Sequence, residues 1–314
     1  MFIVRKVVRL RKDLPKTWQE AVEDYLYWKR AQGLRESTIK SIEEVLGLFF
    51  KQHPEAWIDG LRKSLFNFLA EPIKPATYNI RLSYLRGFID WLIQQGILTE
   101  NPLTGFRKKK ADGRIVNLDA ETLQKLLALP DRKTFAGLRD YALILLTLDT
   151  GIRPKEAFSI MPLDINLRSL EIYVRPETAK TSIARTLPIS PTTAEVIKSL
   201  LAVRPQAWKE DTPVFCTENG TSLNRHTWND RLEVYSKSLG IKITPYSLRH
   251  AFATWFLRNG GDCLILQRIM GHSDVSMTKR YVHLLQGDVR QQHIAVSPVN
   301  TFLKKQRAKR RVEN

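Results

Sequence analysis

Four stretches in the first third of the chain repeat apolar residues every three or four positions, the spacing of a helix with one buried face. The predicted helices begin near Thr17, Ser37, Leu61 and Pro75. Thr17 and Ser37 are placed as N-caps, since a hydroxyl there accepts a hydrogen bond from the first turn. No alternating pattern interrupts these stretches. Residues 17–106 are therefore expected to form a small all-helical domain.

The rest of the chain is also mainly helical, with one change of period. Asp119 or Asn117 is expected to open a helix, and a strongly apolar helix covers Leu138 to Leu148. Apolar and polar residues then alternate on both sides of a turn, which predicts a β-hairpin with Lys180 near its tip. Helical spacing resumes after the hairpin. The predicted fold is mainly α with one small β-sheet, in two domains.

A proline and glycine break separates the two domains and is followed by four cations, Arg107, Lys108, Lys109 and Lys110. A charge run is often only solvated, but at a domain joint it is typical of a linker, and we expect it to lie along phosphates. The expected segments are a basic extension (1–16), the helical domain (17–106), the linker (107–114), the second domain (115–298) and a basic tail (299–314).

The charge balance indicates the kind of partner. The chain has 50 Lys and Arg against 32 Asp and Glu, a net charge of +18. The excess is present in both domains, with 21 basic and 13 acidic residues before Ile115 and 29 and 19 after it. A long polyanion contacted by both domains fits this distribution, and nucleic acid is the favoured one. The alternative is a generally basic protein.

Several other classes of protein are disfavoured. The chain has no apolar run of membrane-spanning length and no signal-peptide pattern at its start. Its two cysteines, Cys216 and Cys263, are far apart and lack metal-type spacing. We therefore expect a cytoplasmic protein without a disulfide framework, a bound metal or another cofactor, and without a membrane partner.

Three boxes carry candidate chemistry. The first is Thr150-Gly-Ile-Arg-Pro-Lys-Glu156, the second is Thr244-Pro-Tyr-Ser-Leu-Arg-His-Ala-Phe-Ala-Thr254 and the third is Gly271-His-Ser-Asp-Val-Ser-Met-Thr-Lys-Arg-Tyr281. A short helix with Asp262 as its N-cap is expected to reach Met270 and to stop at Gly271. His272 then follows a helix end, where a side chain is held rigidly while its tip can reach a ligand.

These boxes resemble the signature of the tyrosine recombinase (phage integrase) family. That signature is roughly His-x-x-Arg-His, then Leu-Gly-His, then a nucleophilic tyrosine about nine residues on, with Thr-Gly-x-Arg-x-x-Glu earlier in the chain. The resemblance extends roughly from Thr17 to His293. One residue departs from it, because Tyr246 stands where the family usually has His or Lys.

Cutting DNA without a metal requires a nucleophile, cations or donors on the phosphate oxygens and an acid for the departing 5′-hydroxyl. The resemblance implies a role for each residue. It makes Arg153 and Arg249 the phosphate clamps, Lys180 the acid, His272 a donor to the phosphate or a support for the nucleophile, and Tyr281 the nucleophile. Arginine suits a clamp because its planar guanidinium stays charged and can bond two oxygens.

Three further residues are given supporting or open roles. Glu156 is expected to face Arg153 from the same turn and to orient it. His250 lies on the apolar side of its helix and is interpreted as a buried, buttressing histidine. Tyr246 can still donate one hydrogen bond to a phosphate oxygen, although it brings no charge at neutral pH; packing is the alternative.

The resemblance implies a site-specific recombinase that works through a 3′-phosphotyrosyl intermediate and a Holliday junction, without metal or ATP. Integrase, transposase and Xer-like roles stay open. A type IB topoisomerase shares the chemistry but needs no defined site, and a degenerate DNA-binding protein would retain binding only.

Assembly is also implied by resemblance. The family pattern suggests a dimer on each double-stranded DNA site and a homo-tetramer during recombination, with the segment Asp288–Val299 packing on a neighbouring subunit. The short start before Thr17 disfavours a separate arm-binding domain. Accessory proteins stay open.

Overall fold

The computed structural model describes residues 14–57, 59–111, 118–179, 183–208, 210–275, 277–278, 281, 293–294 and 297–302. The chain divides into two compact units, Met1–Gly113 and Arg114–Asn314. Lys180 and most of the expected N-terminal extension and basic tail lie outside the described residues. Within the described ranges, no helix combines the length and the apolar character that a membrane span requires.

The described part of the first unit contains four α-helices and one 3-10 turn. They are α1 (Trp18–Ala31), α2 (Glu36–Gln52), the turn (Pro54–Trp57), α3 (Leu61–Ala70) and α4 (Pro75–Gln94). The four predicted helices are confirmed, and their apolar faces meet in an aromatic core. There Phe49 meets Phe50 and Phe68 edge-on at centroid separations of 4.9 and 5.4 Å, a geometry that adds about 0.5–1.5 kcal/mol per pair to simple burial.

The two predicted caps in this unit had different outcomes. Thr17 does cap α1, and its side chain accepts a hydrogen bond from the Glu20 N–H. Ser37 as the cap of α2 was wrong. Thr38 and Ile39 both donate to the carbonyl of Arg35, so the first turn closes there and α2 begins before Ser37.

The second unit is mainly helical. The helices among its described residues are α5 (Ala120–Ala128), α6 (Phe135–Thr150), α7 (Pro154–Ala157), α8 (Pro191–Ala202), α9 (Arg225–Leu239), α10 (Pro245–Arg258), α11 (Cys263–Met270) and α12 (Val299–Phe302). The central helix is α6, which packs against both α8 and α10 and is apolar on most of its surface for that reason. Of the two candidate caps for α5, Asp119 is the one observed.

A small antiparallel sheet lies between α7 and α8 in the chain. Its strands β1 (Ile165–Asn166), β2 (Glu171–Val174) and β3 (Arg185–Pro188) are ordered β1-β2-β3. The predicted hairpin is confirmed by the pairing of Ile172 with Leu187, both buried. The first strand was not predicted, because two residues are too few to show an alternating pattern.

Candidate active site

Arg153 stands where α6 gives way to α7. Gly151 ends α6 in the left-handed region at φ 60°, and a side chain there would collide with the ring of Phe252. Arg153 then caps α7, and Glu156 Oε2 accepts its backbone N–H at 3.1 Å. Arg153 Nη1 also donates to Glu156 Oε1 at 3.0 Å. The structure thus brings the arginine and its expected orienting carboxylate together.

A third charged residue, Arg185 at the start of β3, joins this pair. Its Nη2 donates to Glu156 Oε2 at 2.6 Å and its Nη1 to Oε1 at 3.2 Å. The Glu156 side chain is 1% exposed, and its carboxylate is held by the two guanidinium groups together with the backbone N–H of Arg153. Sequence reasoning missed Arg185.

The last turn of α11 is the common anchor of three arginines. Three consecutive carbonyls each accept one guanidinium hydrogen bond. Arg185 Nε donates to Ile269 at 3.0 Å, Arg249 Nη2 to Met270 at 2.7 Å and Arg153 Nη2 to Gly271 at 2.7 Å. Carbonyls at a helix C-terminus lack partners within the helix and carry a partial negative charge. The turn therefore concentrates positive charge beside His272.

α11 ends as predicted, with Asp262 as its N-cap and Gly271 as its stop. His272 follows, and its Nε2 lies 3.1 Å from Arg249 Nη2, while its Nδ1 lies 2.8 Å from Thr278 Oγ1. Because a guanidinium can only donate, we assign Nε2 as the acceptor and the proton to Nδ1. In this arrangement His272 supports Arg249.

Tyr281 is buried, with 2% of its surface exposed, in a cluster that includes Phe252 and Met270. Its hydroxyl oxygen lies 2.5 Å from His250 Nδ1. His250 is half-buried, so the expectation that it is buried was wrong, while its buttressing role stays a prediction. Its position on α10 directs the imidazole at the hydroxyl of the candidate nucleophile.

Burial and neighbouring charges shift two groups of the cluster. Burial alone would raise the pKa of Glu156, but the hydrogen bonds and charges of Arg185 and then Arg153 outweigh it, so the pKa is held below its usual range. Burial and the nearby Arg153 lower the pKa of Arg249 to about 9. Arg249 remains charged at neutral pH, and an anion beside it would relieve the repulsion from Arg153.

One predicted site residue, Tyr246, lies apart from this cluster. Tyr246 occupies the first turn of α10 and is 48% exposed. The guanidinium of Arg225 lies 5.8 Å from its ring centroid, and both line an open cleft with Lys242. Lys180 lies outside the described residues.

The basic run belongs to the first unit, where Asn79 of α4 holds its backbone. The Asn79 side chain donates to the Lys109 carbonyl and accepts from the Lys109 N–H, each at 2.8 Å. The Lys109 ammonium lies 4.0 Å from the ring centroid of Tyr78. The side chains of Arg107, Lys108 and Lys110 are exposed.

One sequence signal could have identified Arg185. It has the parity of Leu187 and Ile189, the core-facing positions of the strand. An arginine at a core-facing position requires a buried acidic partner. By contrast, the contacts of Thr278 and Asn79 carry no periodic signal.

The sequence profile of the Phage integrase family matches residues 116–287. The tyrosine recombinase XerD of Lacticaseibacillus casei is 31% identical over 281 residues, which cover 84% of this chain and 93% of that protein. The chain belongs to the phage integrase family. The predicted class, a tyrosine-type DNA recombinase, is thereby confirmed. The tyrosine recombinase XerC of Proteus mirabilis is 32% identical over 216 residues, or 68% of this recombinase and 69% of the relative.

Solved structures support the fold. The Tn1549 transposon integrase in complex with transposon right end DNA superposes with a TM-score of 0.71 at 18% identity, covering 88% of this recombinase and 99% of that chain. The lambda integrase dimer bound to a COC′ core site gives 0.69 at 18% identity, with 82% and 96% covered. The predicted fold class, mainly α with a small sheet in the tyrosine recombinase architecture, is confirmed.

Proposed function

We propose that this tyrosine recombinase cuts and rejoins double-stranded DNA at defined sites, with Tyr281 as the nucleophile. The observation that carries the proposal is the convergence of Arg153, Arg249 and His272 on the last turn of α11. Tyr281 packs in the same cluster as Met270, whose carbonyl anchors Arg249. Two guanidinium groups in a largely buried setting suit the added charge of a phosphodiester transition state.

The proposed reaction conserves the phosphodiester bond. The Tyr281 oxygen attacks phosphorus and forms a 3′-phosphotyrosyl link, while the bond to the 5′-oxygen breaks. His250 Nδ1, 2.5 Å away, accepts the phenol proton. Lys180 is proposed to donate a proton to the departing 5′-oxygen, since a lysine desolvated beside DNA loses its proton more readily. Attack by a new 5′-hydroxyl then rejoins the strand without ATP.

Strand exchange between two sites is proposed to pass through a Holliday junction in a homo-tetramer, with a dimer on each site. The C-terminal segment Asp288–Val299 is the proposed connector between subunits. Of the residues described near it, Ile294, Val299 and Phe302 are 61%, 54% and 78% exposed. Exposed apolar side chains in this part of the chain support a protein interface.

A nicked suicide substrate carrying the recognition site tests the proposal. Wild-type protein should accumulate a covalent adduct with DNA, and Tyr281→Phe should bind equally well without forming one. An adduct trapped by the Phe variant would rule out Tyr281. Absence of an adduct from the wild-type protein would favour a degenerate DNA-binding protein. Equal cleavage of scrambled DNA, together with relaxation of supercoils, would favour a type IB topoisomerase.

A further inference from the structure

Two arginines share the Glu156 carboxylate unequally. Arg185 contacts both oxygens, with Nη2–Oε2 and Nη1–Oε1 distances of 2.6 and 3.2 Å. The Arg153 guanidinium contacts only Oε1, at 3.0 Å. All three side chains are shielded, with exposures of 11% for Arg153, 10% for Arg185 and 1% for Glu156. The two-point, fork-like contact, the stronger type of ion pair, is thus made by Arg185.

This unequal sharing decides which guanidinium group is left without a compensating carboxylate. One carboxylate can neutralise one guanidinium, and Arg185 is the better partner by geometry. Arg153 directs Nη2 at the neutral carbonyl of Gly271, at 2.7 Å. Together, Arg153, Arg185 and Glu156 have a net charge of +1. An anion bound beside Arg153 would balance that charge.

We propose that Arg185 is a positioning residue of the recombination site. It neutralises Glu156, so that the carboxylate orients Arg153 without cancelling its charge. It also fixes the last turn of α11 through the Ile269 carbonyl, 3.0 Å from its Nε. The proposal rests on the proposed function in one respect, namely that the anion met by Arg153 is a DNA phosphate.

Gly271, at the end of α11, leaves the space that Arg185 occupies. Gly271 has φ 61°, in the left-handed region, and a side chain there would lie 3.2 Å from the Arg185 guanidinium. Its carbonyl holds Arg153 while its missing side chain leaves room for Arg185. The same turn thereby positions both arginines.

A purely structural ion pair is the alternative, and the chain contains a matched example. Asp140 is fully buried and accepts from Arg139 Nη2 at 2.7 Å and from Arg231 Nε at 2.6 Å. The contacts described for Asp140 do not involve the last turn of α11. Arg231→Met therefore removes one of two guanidiniums from a buried carboxylate without touching the candidate site.

A positioning role and a structural role for Arg185 predict different cleavage rates when Arg185→Met is combined with Glu156→Gln. In Arg185→Met, Arg153 becomes the sole counter-charge of Glu156, and single-turnover cleavage should fall roughly 100-fold, the loss typical of one preorganised group. Adding Glu156→Gln removes the carboxylate that now cancels the charge of Arg153, so cleavage should recover by roughly tenfold or more, a coupling expected of residues in contact. A structural role predicts that the second substitution adds a further loss, and that result would overturn the proposal.

Folding is controlled within the same series. The double variant keeps the net charge of +1 that Arg153, Arg185 and Glu156 have in the wild-type protein, and circular dichroism with thermal unfolding should show it folded. Arg185→Lys keeps the charge, so it should cleave faster than Arg185→Met. Arg231→Met should lower the unfolding midpoint while cleaving within a fewfold of wild type. A cleavage loss in Arg231→Met as large as in Arg185→Met would contradict a site-specific role.

A readout without DNA cleavage separates this proposal from the proposed function. Inorganic phosphate should bind the arginine cluster and raise the unfolding midpoint, by an amount reduced in Arg153→Gln. Arg185→Met should weaken phosphate binding roughly tenfold, and Glu156→Gln in that background should restore it. If phosphate binding follows this order but no DNA is cleaved, the proposed function is wrong and the role of Arg185 stands. Unchanged phosphate binding in Arg185→Met would overturn the role of Arg185.

Discussion

His250 Nδ1 lies 2.5 Å from the hydroxyl oxygen of Tyr281, a residue 31 positions later in the chain. A phenol is a weak nucleophile near neutral pH because it retains its proton. An imidazole nitrogen in hydrogen-bond contact is placed to accept that proton during attack. The adjacent Arg249 binds the last turn of α11, so one helix, α10, carries both a proposed phosphate clamp and the proposed proton acceptor.

We expect His250→Ala to slow formation of the covalent adduct by about 100-fold or more, the range of general base catalysis, with site binding unchanged. Exogenous imidazole should restore part of the rate, since it can occupy the space and accept the proton. Single-turnover assays with and without imidazole measure both the loss and the recovery.

His250→Asn serves as the control, because its shorter amide retains polarity but cannot accept a full proton. It should fold and bind like the wild-type protein and still cleave slowly. Adduct formation by either variant at the wild-type rate would show that His250 only packs against Tyr281.

The contrast between His250 and α11 shows what sequence patterns could predict. The start and end of α11 were predicted because capping by Asp262 and Gly271 depends on neighbours within a few residues. The bond between His250 and Tyr281 depends on how the chain returns after α11. Periodicity reported only that His250 lies towards the apolar side of α10, and the inference of a buttress followed from that.

The charged cluster shows the same limit at longer range. Arg153 and Glu156 are three residues apart, so their contact follows from helix geometry. Arg185 reaches Glu156 from a β-strand 29 residues away, and Arg249 reaches the Gly151 carbonyl across 98 residues. Such partners are set by tertiary packing of α6, α10 and the sheet. A sequence motif identifies the candidate residues, whereas only the fold shows which of them form ion pairs with one another.

Acid should weaken the contribution of Glu156 to stability. Its pKa is held below the ordinary value of about 4.3 by Arg185 and Arg153. Stability from a carboxylate with a lowered pKa is fully present above its unfolded-state pKa and is lost as the pH falls through the folded-state pKa. The difference in free energy of unfolding between wild type and Glu156→Gln should therefore be largest at neutral pH and shrink in acid, as measured by urea unfolding.

The exposed Glu218 provides the control for this measurement. Glu218→Gln should leave the free energy of unfolding nearly unchanged over the same pH range, because surface charges contribute little. A Glu156→Gln difference that grew on acidification would mean that the two arginines do not stabilise the ionised carboxylate.

The two hydrogen bonds between the Asn79 side chain and the Lys109 backbone should affect how DNA binding depends on salt. Asn79→Ala removes both hydrogen bonds that hold the Lys109 backbone, so the basic run should lose its fixed position along α4. If that run meets phosphates, affinity should fall and the slope of log affinity against log salt should decrease in magnitude by about 1–2, near 0.9 for each lost phosphate contact. Titration of labelled site DNA at several salt concentrations gives the slope.

Asn67, an exposed asparagine of α3, is the matched control, and Asn67→Ala should leave the slope unchanged. Lys108→Gln combined with Lys110→Gln should reproduce the effect of Asn79→Ala. An unchanged slope in Asn79→Ala would indicate that these hydrogen bonds fix the backbone at Lys109 without positioning cations for DNA.

Tyr246 stands where the family usually has His or Lys. It lies three residues before Arg249 and therefore on the same side of α10. Within the described structure its hydroxyl has no hydrogen-bond partner, and its side chain is 48% exposed. The guanidinium of Arg225, 5.8 Å from the ring centroid, adds a cation near a residue that has none. This setting favours donation to a phosphate oxygen over packing.

We expect Tyr246→Phe to slow cleavage roughly 100- to 1000-fold, the loss typical of one preorganised donor, with site binding nearly unchanged. Tyr246→His should retain activity, because imidazole can also donate. Arg225→Gln tests the neighbouring charge and should slow cleavage in the wild-type background more than in Tyr246→His, whose imidazole can carry its own charge. Single-turnover cleavage of a suicide substrate decides the matter. A Phe variant as fast as the wild-type protein would make Tyr246 a spacer, and the proposed phosphate site would then rely on Arg153 and Arg249.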